Sequence, residues 1–162
     1  MLAWHPTRNL ENSLKDFLDA KIITDSVTDI KNVAIPVRVG RKESNDWTLP
    51  CITLYNETEL DPRIFIGSNY RNKTYVIIID IYATNTGERS DIANWLPDAI
   101  NNGFRYYTYT PNGSDPENPT KVAGGLADVE FLTNGRVALG QNIDISDAHR
   151  HRITINTQIS GT

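Results

Sequence analysis

The segment Tyr75-Val76-Ile77-Ile78-Ile79-Asp80-Ile81-Tyr82-Ala83-Thr84 decides the fold of this chain. Its β-branched and aromatic residues favour an extended strand. Alternate side chains of a strand point to opposite faces, so both faces of this strand are apolar, with Asp80 as the single exception. A strand with two apolar faces is covered on both sides, and we therefore predict that it is the centre of a sheet. We expect Asp80 to have an arginine partner or to lie at a subunit boundary.

A helix is predicted before this strand, over residues 8–20, with Thr7 as its N-cap. Its apolar face has the spacing i, i+4, i+7 and i+8: Leu10, Leu14, Phe17 and Leu18. Packing of this face on the sheet is favoured over the alternative, a helix that binds a partner.

A second helix is predicted after the strand, where Gly87 marks a turn and Glu88 supplies early negative charge. The apolar residues again follow helical spacing: Ile92, Trp95, Leu96, Ala99 and Ile100. Pro97 lies inside this pattern and predicts a kink or a break, because proline removes a hydrogen bond of the helix.

Most of the other apolar segments are typical of strands. They are residues 22–23, 33–39, 49–55, 64–66, 104–110, 127–132, 137–139 and 151–159, with a glycine-interrupted stretch at 122–126. Pro36 places the 33–39 strand at an edge or a bulge, and Asn134-Gly135 predicts a hairpin turn. Helices and strands do not alternate, so we predict an α+β fold: a mixed, mainly antiparallel sheet flanked by an N-terminal helix and by a second helix after the central strand.

The chain has the length and balance of one globular domain, residues 1–162, with 39% hydrophobic and 22% charged residues. Residues 111–120 hold three prolines and no apolar side chain from 112 to 118, which predicts a protruding loop. The net charge of −4 argues against a basic nucleic-acid groove. We expect no signal peptide, no membrane span and a protein made in the cytoplasm.

The residues that could carry chemistry do not form a reactive pattern. His149 and His151 would share a strand face, but no third ligand stands at a metal-site spacing, and a surface pair without metal is favoured. Cys51 is the single cysteine and is expected to be an inert core thiol. No phosphate-binding loop or nucleophile motif is present. We therefore expect no enzyme activity, no catalytic residue, no metal and no cofactor.

Arg105, Tyr107 and Tyr109 form a basic and aromatic face of the 104–110 strand. An oligonucleotide platform and a protein interface both have this composition, and the acidic chain favours the protein interface. Asn112 and Asp115 in the predicted loop, and Trp47 in a polar connection, are further candidates for contact with a partner.

A family resemblance rests on three features that occur together. They are the amphipathic N-terminal helix, the strand Ile35-Pro36-Val37-Arg38-Val39, and the long strand that runs into Gly87-Glu88-Arg89-Ser90-Asp91-Ile92-Ala93. Over residues 8–110 the order of elements resembles the tail terminator, or tail completion, proteins of tailed bacteriophages, and more loosely the head–tail connector proteins of the neck.

The resemblance implies a structural protein of the virion. Such a protein forms a ring, hexameric in this family, that caps the tail tube and joins it to the neck protein of the filled head. Its partners would be further copies of itself, the tail tube protein and the head-completion protein, with genomic DNA passing through the lumen without specific binding. The alternatives are another connector protein, or a small β-rich module that binds a ligand through Trp47 and the tyrosines.

Overall fold

The computed structural model describes residues 4–25, 35–41, 47–60, 73–113, 118–137 and 148–160. The elements are α1 (Pro6–Thr24), β1 (Val37–Val39), β2 (Cys51–Leu60), β3 (Thr74–Tyr82), α2 (Thr86–Ile100), β4 (Phe104–Thr110), β5 (Thr120–Arg136) and β6 (Arg150–Ser160). The predicted α+β class is confirmed: a mixed sheet with one helix at the N-terminus and a second directly after the central strand.

The six strands form one sheet in the order β1-β2-β3-β6-β5-β4. β1 runs parallel to β2, and all other neighbours are antiparallel. β3 lies between β2 and β6, which confirms the interior position predicted from its apolar faces. β1 is an edge strand that starts directly after Pro36, in agreement with the inability of proline to donate a ladder hydrogen bond.

Both helices pack on the same face of the sheet. One cluster of buried side chains contains the apolar stripes of α1 and α2 together with Ile77, Ile79 and Ile81 of β3. The opposite face of the sheet is also buried around β3, where Ile78 and Tyr82 lie outside that cluster. The prediction that β3 is covered on both sides is therefore confirmed.

The edge of the sheet at β4 is closed by polar side chains of α1. The backbone N–H of Tyr109 donates to Oδ1 of Asn9 at 3.1 Å, and the N–H of Tyr107 donates to Oγ of Ser13 at 2.9 Å. Asn9 and Ser13 are both buried, one turn apart on the helix. An edge strand presents unpaired N–H groups, and here a helix satisfies them in place of a seventh strand.

α1 also contacts β2, which lies near the opposite edge of the sheet from β4. A β-bulge interrupts the β2–β3 register between Asn56 and Thr58, and the N–H of Asn56 donates to Oε1 of Glu11 at 2.7 Å. Burial raises the pKa of Glu11, although this hydrogen bond and nearby Arg8 act in the opposite direction. Because α1 contacts β4 and β2, the sheet curls around the helix.

The helices differ from the prediction at their ends. α1 begins with Pro6 as its first residue, and the side chain of His5, not Thr7, accepts the capping bond. It continues to Thr24, so the strand predicted at 22–23 is wrong: Ile22 belongs to the apolar stripe of α1 and is buried in the core. α2 is not broken at Pro97, because core contacts continue on both sides of it.

The hairpin turn predicted at Asn134-Gly135 is also wrong, because β5 is one strand of 17 residues. Its first part pairs with β4 and its second part with β6, and these long-range ladders override the local turn preference. The strand pairs with both neighbours at Leu126 and Ala127. Directly before them lies Gly125, whose φ of 129° favours glycine. The strands predicted at 64–66 and 137–139 lie outside the described residues, apart from Val137.

Candidate functional site

A charged cluster lies on the face of the sheet opposite the helices, and Asp80 of β3 is its centre. The side chain of Asp80 is 1% exposed. Its Oδ1 accepts from Nε of Arg152 at 2.8 Å, and its Oδ2 accepts from Nη2 of Arg152 at 2.9 Å and from Nη2 of Arg150 at 2.5 Å. The expectation of an arginine partner for Asp80 is confirmed, with two arginines in place of one.

Strand periodicity builds this cluster. Arg150 and Arg152 are two residues apart on β6, so their side chains share a face. Asp80 is paired directly with Arg152 in the β3–β6 ladder, and Thr53 of β2 is paired with Asp80 on the other side. The sequence contained both halves of the cluster. The antiparallel register of β3 against β6, which joins them, has no local signal.

Two tyrosines and a third arginine surround the charged groups. Nη2 of Arg152 also donates to the hydroxyl of Tyr55 at 3.3 Å. The guanidinium of Arg41 lies 4.7 Å from the centre of the Tyr55 ring, and that of Arg150 lies 5.2 Å from the centre of the Tyr82 ring. These cation–π contacts hold the guanidiniums of Arg41 and Arg150 over the tyrosine rings and so restrict the motion of both side chains.

The cluster has more positive than negative charge. Hydrogen bonding to Asp80 raises the pKa of Arg152, and burial acts in the opposite direction. For Arg150, burial lowers the pKa, but the hydrogen bond and attraction to Asp80 outweigh it and the net direction is upward. Both guanidiniums stay charged, so two cations face one carboxylate at this position.

Two donors in the cluster have no hydrogen-bond partner within the described part of the chain. They are Nε of Arg150 and Oγ1 of Thr53, and both atoms are buried. Buried polar atoms are satisfied in most native structures, so each such group needs an explanation.

The predicted interface face of β4 is partly occupied by the chain itself. Tyr109 is buried: its ring stacks on Trp4 with centroids 5.5 Å apart, and its hydroxyl donates to Oδ2 of Asp16 at 2.9 Å. Tyr107 is half-buried beneath Lys121, whose Nζ lies 5.1 Å from the ring centre. Arg105 is exposed. Of these three predicted residues, Arg105 and the outer part of Tyr107 remain accessible.

The other predicted contact residues are Trp47, Asn112 and Asp115. Trp47 is half-buried, with the guanidinium of Arg38 4.8 Å from its ring centre. Asn112 is half-buried just after β4, and Asp115 lies outside the described residues.

A further surface lies along β5. Large apolar side chains are exposed at three positions of this strand: Val122 at 64%, Leu126 at 43% and Leu132 at 48%. Most other residues of β5 are exposed as well. Beside the strand, a shallow depression of about 220 Å³ is lined by Asp128, Val129, Glu130, Asn156 and Gln158. We call the exposed side chains of β5 the β5 surface.

The two histidines next to Arg150 lie at the start of β6. His149 Nδ1 is 3.4 Å from Oγ1 of Thr86, and His151 Nε2 is 2.5 Å from Oδ1 of Asn134. In the described ranges, no three His, Cys, Asp or Glu side chains come together as a metal site.

We expect His151 to make stability depend on pH. Burial, and then the charge of Arg89, lower the pKa of His151 below its ordinary value. The unfolded chain therefore binds this proton more readily, and stability should fall as pH decreases below about 6.5. Chemical denaturation of the wild type and of His151→Gln between pH 7 and pH 5 tests this. The free energy of unfolding should fall less between pH 7 and pH 5 in the variant than in the wild type. An equal fall in both proteins would contradict the role assigned to His151.

Comparison with known proteins found no matching family model and no similar curated protein. Among the residues that the structure describes, no helix is long and apolar enough to cross a membrane.

Proposed function

We propose that the chain is a structural protein of a tailed bacteriophage virion, a tail terminator that assembles into a ring. The ring is hexameric, caps the tail tube and presents a docking face to the neck protein of the head. The resemblance of residues 8–110 to that family motivates the proposal, and the α+β fold with an N-terminal helix and a second helix after the central strand supports it. A head–tail connector of the neck is the alternative within the same class.

The observation that carries the proposal is the β5 surface. Three of the five large apolar side chains found exposed in the described residues lie on this one strand. Exposed apolar residues that recur along one element are typical of a surface that another protein covers. β5 also follows directly on the predicted loop, in which Asn112 and Asp115 were candidates for contact with a partner.

The part of β5 beyond Ala127 has a second property that suits assembly. β4 ends its pairing with β5 at the pair Phe104 and Ala127, while β6 continues to pair up to Arg136. In the described residues, residues 128–136 therefore have one paired side. The other side leaves backbone N–H and C=O groups for a strand of a neighbouring subunit.

Changing Leu132 to Asp should prevent assembly. In the proposed ring Leu132 is covered by a neighbouring subunit, and a buried, unpaired carboxylate there would be strongly unfavourable. Multi-angle light scattering after size-exclusion chromatography should give about six subunits for the wild type and one for the variant, with an unchanged circular dichroism spectrum. Negative-stain images should show rings for the wild type alone.

The matched control is Ile23→Asp, because Ile23 is 77% exposed on α1, away from β5. This variant should assemble as the wild type does. A wild type that stays monomeric at all concentrations, and with purified tail tubes present, would contradict the ring. Equal loss of assembly in both variants would show that added negative charge, and not the β5 surface, is responsible.

A further inference from the structure

We propose that the cluster of Asp80, Arg150 and Arg152 is a binding site for a small oxyanion, a carboxylate or phosphate group held by the two guanidiniums. The site does not depend on ring assembly or on the β5 surface. It lies on the face of the sheet opposite the two helices, and its chemistry follows from the charges and donors of the described residues.

The charge balance is the first argument. Among the described residues, one carboxylate contacts the two guanidiniums, so these three side chains have a net charge of about +1. Arg150 is 19% exposed and Arg152 is 35% exposed, so both cations are partly removed from water. A partly buried cation that no anion neutralises is unfavourable, and an anion from outside the chain would remove that cost.

The distribution of donors is the second argument. Asp80 takes the Nε and Nη2 edge of Arg152 and the Nη2 of Arg150. This leaves Nη1 of Arg152, together with Nε and Nη1 of Arg150, without a protein acceptor within the described part of the chain. Guanidinium N–H groups donate to carboxylate and phosphate oxygens. Nε of Arg150 is buried, so Nη1 of each arginine is the group that donates to an anion.

The preorganisation of the site is the third argument. Asp80 is fixed in the middle of the sheet, and its hydrogen bonds hold both guanidiniums in place before any ligand arrives. The Arg150 guanidinium lies over the ring of Tyr82, and the hydroxyl of Tyr55 accepts a hydrogen bond from Arg152. Because the side chains are already ordered, binding would not have to restrict them further. Asp80 therefore positions the two arginines and does not itself contact the anion.

A third guanidinium at the rim adds positive potential. Arg41 lies over the ring of Tyr55 and is 68% exposed. Its Nη2 forms a salt bridge with Glu57 at 3.1 Å, which offsets part of its charge. The binding donors are therefore those of Arg150 and Arg152, and Arg41 contributes attraction at longer range.

The experiment titrates the protein with sodium phosphate, and separately with sodium acetate, at constant ionic strength maintained with sodium chloride. Nuclear magnetic resonance of the arginine side chains reports the Nε–H groups directly. We expect the Nε–H resonance of Arg150 to shift saturably, because Nε belongs to the same planar guanidinium as the Nη1 group that binds the anion. A shift with phosphate alone, or with acetate alone, identifies which oxyanion the site accepts.

The variants separate specific binding from a general effect of salt. Arg150→Gln should weaken binding by about tenfold or more, as loss of a hydrogen bond to a charged group does. Arg152→Lys keeps the charge but loses the planar fork, and should also bind more weakly. Arg105→Gln, an exposed arginine on β4, should bind as the wild type does.

If Arg150→Gln does not fold, Arg152→Lys and the wild-type spectrum still decide the question. No saturable shift of the Arg150 resonance with either anion would overturn the proposal. The proposal would also be overturned if Arg105→Gln and Arg152→Lys both showed resonance shifts with the anions no larger than those with sodium chloride.

Discussion

Asp80→Ala should lower the free energy of unfolding by about 3 kcal/mol or more, which is the range for breaking a buried ion pair by removing one partner. Asp80 is 1% exposed and is the common acceptor of Arg150 and Arg152. Its removal leaves two guanidiniums facing each other in the middle of the sheet without a counterion. The loss should appear as a lower midpoint of urea denaturation with little change in slope.

Two further variants distinguish charge from packing at this position. Asp80→Asn keeps the shape but removes the charge and replaces one of the two acceptor oxygens with an NH2 donor, so it should be destabilised too. Asp98→Ala changes an exposed aspartate near the end of α2 and should alter stability by less than about 0.5 kcal/mol. A wild-type stability for Asp80→Ala would mean that the arginines find other acceptors. It would also show that Asp80 is not needed to hold Arg150 and Arg152 in place, as the oxyanion site requires.

Asn9→Ala should lower the free energy of unfolding by about 2 kcal/mol, the order of cost for leaving a buried donor unsatisfied. Its side chain accepts from the Tyr109 N–H at 3.1 Å and donates to the Trp4 carbonyl at 3.0 Å. It also donates to the hydroxyl of Tyr106 at 3.4 Å. Without Asn9 the N–H of Tyr109 has no side-chain acceptor on α1, and the stacking of Trp4 on Tyr109 should weaken.

Asn12→Ala is the matched control on the same helix. The amide of Asn12 donates to the Arg8 carbonyl at an exposed position, so its loss should cost much less. Thermal denaturation followed by tryptophan fluorescence measures both variants, and hydrogen exchange at Tyr109 reports the edge directly. Exchange at Tyr109 that is no faster in Asn9→Ala than in the wild type would contradict the assigned role of Asn9.

Local patterns accounted for most of the elements. β4 was predicted with its observed ends because alternating aromatic residues and a preceding Asn-Gly stop bound it. Where the prediction was wrong, tertiary pairing overrode a local preference. Asn134-Gly135 has strong turn character, but in the structure both residues pair with β6, opposite Ile153 and Arg152.

The candidate sites were less accessible to prediction. Tyr109 has the composition of an interface residue, yet Trp4 and α1 cover it. Asn9 and Ser13 were not singled out in the sequence, although their side chains accept from the backbone N–H groups of β4. A polar residue that interrupts an apolar helix stripe at a spacing of four is a signal that could have indicated this role.

By itself, the sequence determined the α+β class and the interior position of β3, and it predicted that Asp80 has an arginine partner or lies at a subunit boundary. These follow from side-chain periodicity, and from the cost of burying a charge, both of which are local properties. The tertiary structure alone decided which cations meet Asp80, because the β3–β6 register joins residues 70 and 72 positions apart. It also decided which surface stays open, since exposure depends on what the rest of the chain covers.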